Sequence, residues 1–226
     1  MKQKFNLYFF AVLFVMALIV SGFSNRKAKV LIIGDSISIG YTPFVKQNLI
    51  ENTIVEHNPG NAQHTRTGLK KIEDWIGSDD WDIIQFNWGL WDLCYRHTDS
   101  KFYGNRDKIN GKITHSLETY RANLDSLVQT IKHLSDAKLI FVTTSYVPEE
   151  EAGRFTEDAI RYNEVAKEVM RKHHIVVNDI YKKSVGIHKR YGKGSDDVHY
   201  VKRGYEKLGK RISKFLFTQL KSISKE

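Results

Sequence analysis

The strongest constraint on the fold is the alternation of short apolar runs with stretches of helical period. Five runs have the length of strands, and runs such as Leu139-Ile140-Phe141-Val142 have the continuous apolar character of strands buried on both faces. They cover residues 29–34, 53–57, 81–87, 138–144 and 175–178. Between them, apolar residues recur every three or four positions, most clearly over residues 116–134. This order predicts βαβ units and therefore a doubly wound α/β fold with a parallel sheet.

Length and composition predict one folded domain, over residues 28–222, behind a targeting segment at residues 1–24. Lys2 and Lys4 precede an apolar stretch at residues 5–20, and the small residues of Ser21-Gly22-Phe23-Ser24 then suit signal-peptidase cleavage, which is the pattern of a signal peptide. The apolar stretch could instead remain as a membrane anchor, since it is close to the shortest length that spans a bilayer. Either way, we expect an exported protein, periplasmic or extracellular, whose only membrane contact is through this segment.

Composition also limits the classes of partner. Cys94 is the only cysteine, so no intramolecular disulfide and no cysteine-based metal site can form. His57 and His64 lack a spaced third ligand, so we expect no metal. The formal net charge is +9, but the basic residues are scattered and no nucleic-acid-binding motif occurs, so we expect no nucleic-acid partner. A solvated face or an anionic glycan partner better explains the basic C-terminal third.

A candidate nucleophile lies in Gly34-Asp35-Ser36-Ile37, where the first apolar run breaks into a helical stretch. In a doubly wound sheet, this position lies in the crevice at the carboxyl ends of the strands. Ser36 there is either a nucleophile or a helix cap. A serine nucleophile needs a base, and the base needs a third group to hold its tautomer. Asp196 and His199 form the only Asp-x-x-His pair of the chain and precede its last helical stretch.

Four short blocks resemble, in order, those of the SGNH/GDSL hydrolase family, which includes carbohydrate-active acetylesterases. The blocks are Gly34-Asp35-Ser36, the loop at residues 59–65, Gly89-Leu90-Trp91-Asp92, and the Asp-x-Val-His-Tyr sequence at residues 196–200. The resemblance implies a flavodoxin-like, three-layer α/β/α fold with a five-stranded parallel sheet. It also implies ester hydrolysis through an acyl-serine without a cofactor, with Ser36 as nucleophile, His199 as base and Asp196 as its orienting acid.

The resemblance further implies an oxyanion hole made by the serine N–H, a glycine N–H from the second block and an asparagine side chain from the third. Here the chain departs from the family, because Trp91 stands where the asparagine is expected. The candidate donors are therefore Ser36, Asn61, Asn87, Gly89 and Trp91. Asn87 could instead cap the turn after the third strand together with Asp92.

Candidate substrate contacts are Asp35, Trp88 and Arg154. A buried position in the core is the alternative for Trp88, and pairing with the glutamates at residues 149–151 is the favoured alternative for Arg154. We expect an exported serine esterase that removes a small acyl group, most simply acetyl, from a small-molecule or oligosaccharide ester. The alternatives are a glycan O-acyltransferase with the same nucleophile and a non-catalytic glycan-binding protein on the same fold.

Overall fold

A computed structural model describes residues 26–223 of the chain. The expected targeting segment at residues 1–24 lies outside the described residues. Within residues 26–223, none of the helices combines the length and the apolar character needed to span a bilayer.

The centre of the molecule is a parallel sheet of five strands: β1 (Ala28–Ile33), β2 (Thr53–His57), β3 (Ile83–Phe86), β6 (Lys138–Val142) and β7 (Val176–Asn178). Their order in the sheet is β2-β1-β3-β6-β7, and every neighbouring pair is parallel. The last four residues of β1 and all four of β3 are buried, as expected for strands covered on both faces. The predicted doubly wound parallel sheet is confirmed, and each predicted strand is present with ends shifted by at most two residues.

Six α-helices lie among residues 26–223: α1 (Ser36–Leu49), α2 (Thr65–Ile76), α3 (Leu117–Leu134), α4 (Thr156–Lys172), α5 (Tyr181–Tyr191) and α6 (Lys202–Ile223). Helix α6 packs against both α1 and α5, and helix α3 packs against both α2 and α4. These two groups form the outer layers of a three-layer α/β/α fold.

Local sequence fixes where the helices begin. The Asp35 side chain accepts a hydrogen bond from the Ile37 N–H at 3.0 Å, and the Ser116 hydroxyl accepts one from the Thr119 N–H at 3.2 Å. Both residues are of the types that satisfy the free N–H groups of a first helical turn. Ser36 is consequently the first residue of α1, directly beyond the carboxyl end of β1.

Two short antiparallel pairs interrupt the alternation. Strands β4 (Tyr95–Arg96) and β5 (Lys112–Ile113) pair within the long segment between β3 and α3, which also contains a 3-10 turn at Tyr103–Asn105. Strands β8 (Gly192–Gly194) and β9 (Asp197–Tyr200) form a hairpin between α5 and α6. His199 therefore lies on a strand rather than in a loop, and this decides which side chains it meets.

Candidate active site

Ser36 and His199, 163 positions apart in the sequence, meet at the carboxyl edge of the sheet. The Ser36 Oγ lies 2.8 Å from Nε2 of His199, which is hydrogen-bond distance. The expected contact between candidate nucleophile and candidate base is therefore present. Ser36 is half-buried, so its hydroxyl remains accessible beside the imidazole.

The other imidazole nitrogen faces a carboxylate, but the carboxylate is that of Asp197. Its Oδ1 lies 2.5 Å from Nδ1 of His199 and also accepts the His199 backbone N–H at 2.9 Å. Partial burial alone would raise the pKa of Asp197, but these hydrogen bonds outweigh it and hold the pKa below its usual range. An ionised Asp197 keeps the proton on Nδ1 and leaves Nε2 free to accept the proton of Ser36.

The expectation that Asp196 orients His199 is corrected by the structure. Side chains alternate between the two faces of a strand, so Asp197 and His199 lie on one face of β9 while Val198 and Tyr200 are buried on the other. Asp196 precedes the strand and is exposed, and it has no hydrogen bond to His199 among the described residues. The Asp-x-His spacing would have identified Asp197 only if the β8–β9 hairpin had been recognised.

A pocket of about 240 Å³ opens beside the Ser36 hydroxyl. Four parts of the chain form its walls: the turn at Ser36, strand β9, the segment after β3 and the segment after β6. The lining residues are Ser36, Leu90, Trp91, Arg96, Tyr103, Gly104, Arg106, Arg154, Asp197, Val198 and His199. Arg96 and Arg106 were not predicted as site residues, because their segment of the sequence has no clear periodicity.

Among the predicted oxyanion donors, Ser36 and Trp91 line this pocket. The Ser36 N–H belongs to the first turn of α1, where the backbone N–H groups have no partner within the helix. The Trp91 indole N–H has no hydrogen-bond partner among residues 26–223, and its ring lies under the Arg96 guanidinium at 5.0 Å. Both donors therefore remain available to a negatively charged oxygen at Ser36.

The structure does not bring the other three predicted donors to the pocket wall. The Asn87 side chain is buried and donates to the Val142 carbonyl at 2.8 Å, so it links the ends of β3 and β6. The Asn61 side-chain oxygen accepts the Gln63 N–H at 2.8 Å within its own loop. Gly89 adopts a φ of +151° and approaches Thr144 so closely that a Cβ there would lie 2.0 Å from its Oγ1. These three residues shape the loops behind the site.

Two of the predicted substrate contacts are wrong because the side chains are buried. Trp88 is fully buried, with its indole N–H donating to the Ala62 carbonyl at 3.3 Å, and it belongs to the core. Asp35 is 1 % exposed and acts as the cap of α1. Burial raises the pKa of Asp35, and one of its oxygens has no hydrogen-bond partner in the described part of the chain.

Arg154 lines the pocket and also makes the predicted pairing with a glutamate. Its Nη1 donates to Glu151 at 2.8 Å, and its Nε donates to the Leu90 carbonyl at 2.5 Å. The Glu151 side chain is completely buried, so the ion pair between Arg154 and Glu151 supports the pocket wall from the protein interior. Arg154 thereby ties the loop after β6 to the loop after β3.

Asp92, the last residue of the third sequence block, holds the second loop against the third. Its carboxylate is buried, accepts the Thr65 N–H at 3.0 Å and the Thr65 hydroxyl at 2.6 Å, and lies 2.7 Å from Nδ1 of His115. Thr65 begins α2, so Asp92 caps that helix from a distant part of the chain. The alternative that Asp92 has a structural role is thus supported by its contacts.

Comparisons with known proteins agree with this geometry. The family model described as GDSL-like lipase/acylhydrolase matches residues 30–212. A comparison with curated protein sequences finds no match. Among solved structures, the chain is similar to a lipase/acylhydrolase from Enterococcus faecalis, with 22 % identity and a TM-score of 0.67 over 85 % of this chain and 96 % of that one.

The chain is also similar to Axe2, an acetylxylan esterase from Geobacillus stearothermophilus, with 20 % identity and a TM-score of 0.63 over 84 % of this chain and 95 % of that one. At such identities the structural matches establish the shared fold. The family model covers most of the chain, including the segments that carry Ser36 and His199. The chain therefore belongs to the family of GDSL-like lipases/acylhydrolases and is a carboxylic ester hydrolase.

Proposed function

We propose that this enzyme hydrolyses a small acyl ester, acetyl in the simplest case, on a carbohydrate, through an acyl-serine intermediate at Ser36. The single observation that carries the mechanism is the continuous chain of contacts from the Ser36 hydroxyl through His199 to Asp197. A limited pocket beside the hydroxyl favours a small acyl group. The similarity of the fold to acetylxylan esterases supports the choice of acetyl and of a sugar as its carrier.

In the proposed reaction, Ser36 Oγ attacks the ester carbonyl while its proton passes to Nε2 of His199. The bond between the acyl carbon and the sugar oxygen then breaks, and His199 gives its proton to that oxygen, so the sugar leaves with a free hydroxyl. Water then attacks the acyl-serine while His199 takes one of its protons, and as the bond to Ser36 Oγ breaks, His199 gives that proton to Oγ; the acetic acid released ionises to acetate. The Ser36 N–H and the Trp91 indole N–H donate to the oxygen that becomes negatively charged.

Turnover of p-nitrophenyl acetate, a generic acetyl ester, tests this mechanism. Replacing Ser36 by alanine should abolish turnover and leave the melting temperature unchanged, because the serine side chain contributes no cap to α1. Undiminished turnover by the Ser36→Ala protein would refute the proposal. Acetate release in the presence of an acceptor sugar separates hydrolysis from transfer, since transfer would yield an acetylated sugar instead.

We also propose that the enzyme acts outside the cytoplasm. The support is the sequence of residues 1–24, with two lysines ahead of a long apolar stretch. Fractionation of cells that express the full chain tests this proposal: the protein should appear in an exported or membrane-attached fraction. Recovery in the cytoplasmic fraction alone would contradict it.

A further inference from the structure

We propose that the pocket beside Ser36 binds an oxyanion group, a carboxylate or a sulfate, on the alcohol part of the ester, so that the substrate is an acylated acidic sugar. This inference rests on the proposed esterase function and specifies its substrate class. It is carried by three arginines, Arg96, Arg106 and Arg154, which line the same pocket as Ser36 and His199.

Arg154 is the most deeply placed of the three, with only 5 % of its surface exposed. Its Nε and Nη1 atoms are held by the Leu90 carbonyl and by Glu151. Its Nη2 atom has no hydrogen-bond partner in the part of the chain that the structure describes. A guanidinium that is fixed along one edge, and whose other edge opens onto the pocket, is suited to bind a ligand, because the ligand can use the free donor without displacing a protein partner.

Arg106 shares the carboxylate that Arg154 uses. Its Nη1 donates to the same Oε1 atom of Glu151 at 2.5 Å, and its Nε donates to the Tyr103 carbonyl at 3.1 Å. The other Glu151 oxygen is taken by the Gly153 N–H at 2.8 Å. One buried carboxylate therefore pairs with two guanidinium groups, so Glu151, Arg106 and Arg154 together carry a net positive charge.

Arg96 has no carboxylate partner among the described residues. It donates to the Thr114 hydroxyl at 3.3 Å and to the Gly104 carbonyl, and it stacks on the Trp91 ring. These contacts fix the plane of the guanidinium without neutralising its charge. Of the other acidic side chains near the pocket, Asp197 is hydrogen-bonded to His199, and Asp35 is buried with its pKa raised, so neither pairs with Arg96.

Three guanidinium groups held in place beside a nucleophile are complementary to an anion rather than to a neutral sugar. A guanidinium can form two parallel hydrogen bonds with a carboxylate or sulfate, and these charged bonds are stronger than those to a hydroxyl. The groups are positioned before binding by carbonyls, Glu151 and Trp91, so little ordering is required when the ligand binds. A neutral sugar would leave the unpaired guanidinium charge of this pocket unmatched.

A second basic surface agrees with an anionic polymer as substrate. A groove between α5 and α6 is lined by six cationic side chains: Lys183, Arg190, Lys207, Lys210, Arg211 and Lys214. Within residues 26–223, none of them forms an ion pair with an acidic side chain. An acidic glycan chain would therefore meet positive potential both in the pocket and on this face.

The first test compares two aryl acetates, 4-acetoxybenzoate and its neutral methyl ester, by the ratio of their kcat/KM values. Arg96→Gln should lower this acid-to-neutral ratio about tenfold, because the variant loses a hydrogen bond between two charged groups with the acidic ester and not with the neutral one. Arg96→Lys retains the charge without the planar fork and should give an intermediate ratio. 4-Acetoxybenzenesulfonate, in a third arm, distinguishes a preference for carboxylate from one for sulfate.

Arg121→Gln is the matched control, since Arg121 is half-exposed on α3 and pairs with Glu168 away from the pocket. It should leave the ratio unchanged. An acid-to-neutral ratio that is the same in wild type and both Arg96 variants would overturn the inference while the esterase function stands. Absence of Ser36-dependent turnover with every ester would instead refute the proposed function itself.

The second test uses glycans. Acetate release from acetylated polygalacturonate should be at least about tenfold faster than from acetylated xylan, a neutral polymer, at matched acetyl content, as expected for one additional charged contact. Raising the salt concentration should reduce the preference, because screening weakens the long-range attraction between basic surface and acidic chain. Equal rates on the two polymers, or faster release from xylan, would overturn the acidic-sugar assignment.

Discussion

The most discriminating substitution is Asp197→Asn, tested beside Asp196→Asn. The two aspartates are neighbours, and their substitutions change charge and shape identically. Only Asp197 contacts His199, through Nδ1 at 2.5 Å and the backbone N–H at 2.9 Å. The expected result is a large loss of kcat/KM for Asp197→Asn and a change within about twofold for Asp196→Asn, as is usual for an exposed residue with no special contact.

The size of the loss follows from what the carboxylate does. A hydrogen bond to a charged group contributes roughly 1.5–3 kcal/mol, which corresponds to about 10- to 150-fold in rate. An asparagine can also turn its NH₂ toward Nδ1 and favour the tautomer that cannot accept the Ser36 proton, which enlarges the loss further. Because Asp197 is one-third exposed, solvent replaces part of the lost interaction, and we expect a loss of about 10²-fold rather than the extreme of about 10⁴-fold for a buried triad acid.

The assay is steady-state hydrolysis of p-nitrophenyl acetate with both variants and wild type, together with thermal unfolding of each protein. The side-chain oxygen of Asn can still accept a hydrogen bond from the backbone N–H of His199, so the β8–β9 hairpin should remain folded in Asp197→Asn. A larger loss in Asp196→Asn than in Asp197→Asn would refute the assignment of Asp197. Equal and small losses in both would show that His199 does not need a carboxylate.

Three further predictions concern the surroundings of Ser36. Trp91→Phe removes the indole N–H but keeps a ring under Arg96, so kcat should fall about 10²-fold, whereas Trp88→Phe should lower the melting temperature and change kcat little. Steady-state kinetics and thermal unfolding compare the two variants, and equal kcat values for both would contradict the role of Trp91. Burial raises the pKa of Asp35 in the folded protein, so protonation of this carboxyl stabilises the fold fully below its unfolded pKa of about 3.9, and this stabilisation is lost as pH rises through the folded pKa. In urea unfolding, the free energy of unfolding of wild type should therefore rise relative to that of Asp35→Asn as pH falls from 7 to 4.5, and a constant difference would contradict this. Gly89→Ala should destabilise the protein by more than about 1 kcal/mol in urea unfolding, because its φ of +151° and its contact with Thr144 exclude a Cβ; unchanged stability would contradict the geometry.

The sheet was predictable because its strands carry their signal locally. Val30, Ile32 and Ile33 are all fully buried, which is what a continuous apolar run predicts for a central parallel strand. The same holds for the start of α3, where Ser116 was expected to lie at the helix start and caps it. These features depend on neighbouring residues in the sequence, so one sequence is sufficient.

The details of the site were less predictable because they depend on contacts between distant segments. Whether Asp196 or Asp197 faces His199 is decided by the β8–β9 hairpin at residues 192–200, whose two glycines among mixed polar and apolar residues do not signal it clearly. Trp88 and Trp91 are three positions apart, yet one is in the core and the other in the pocket. Arg96 and Arg106 meet across an isolated bridge within an irregular segment, for which no periodic pattern exists.

Covalent labelling of the full chain with a fluorophosphonate probe tests whether Ser36 is a nucleophile that His199 activates. Trypsin releases residues 30–46 as one peptide, which contains both Ser36 and Ser38, so fragmentation of that peptide must assign the adduct. Ser38 is a stringent internal comparison, because it also contacts a histidine, at 2.7 Å from Nε2 of His57, but is 1 % exposed. We expect an adduct on Ser36 that is lost in Ser36→Ala and in His199→Ala. An adduct on Ser38, or a folded wild-type protein that takes up no probe, would contradict it.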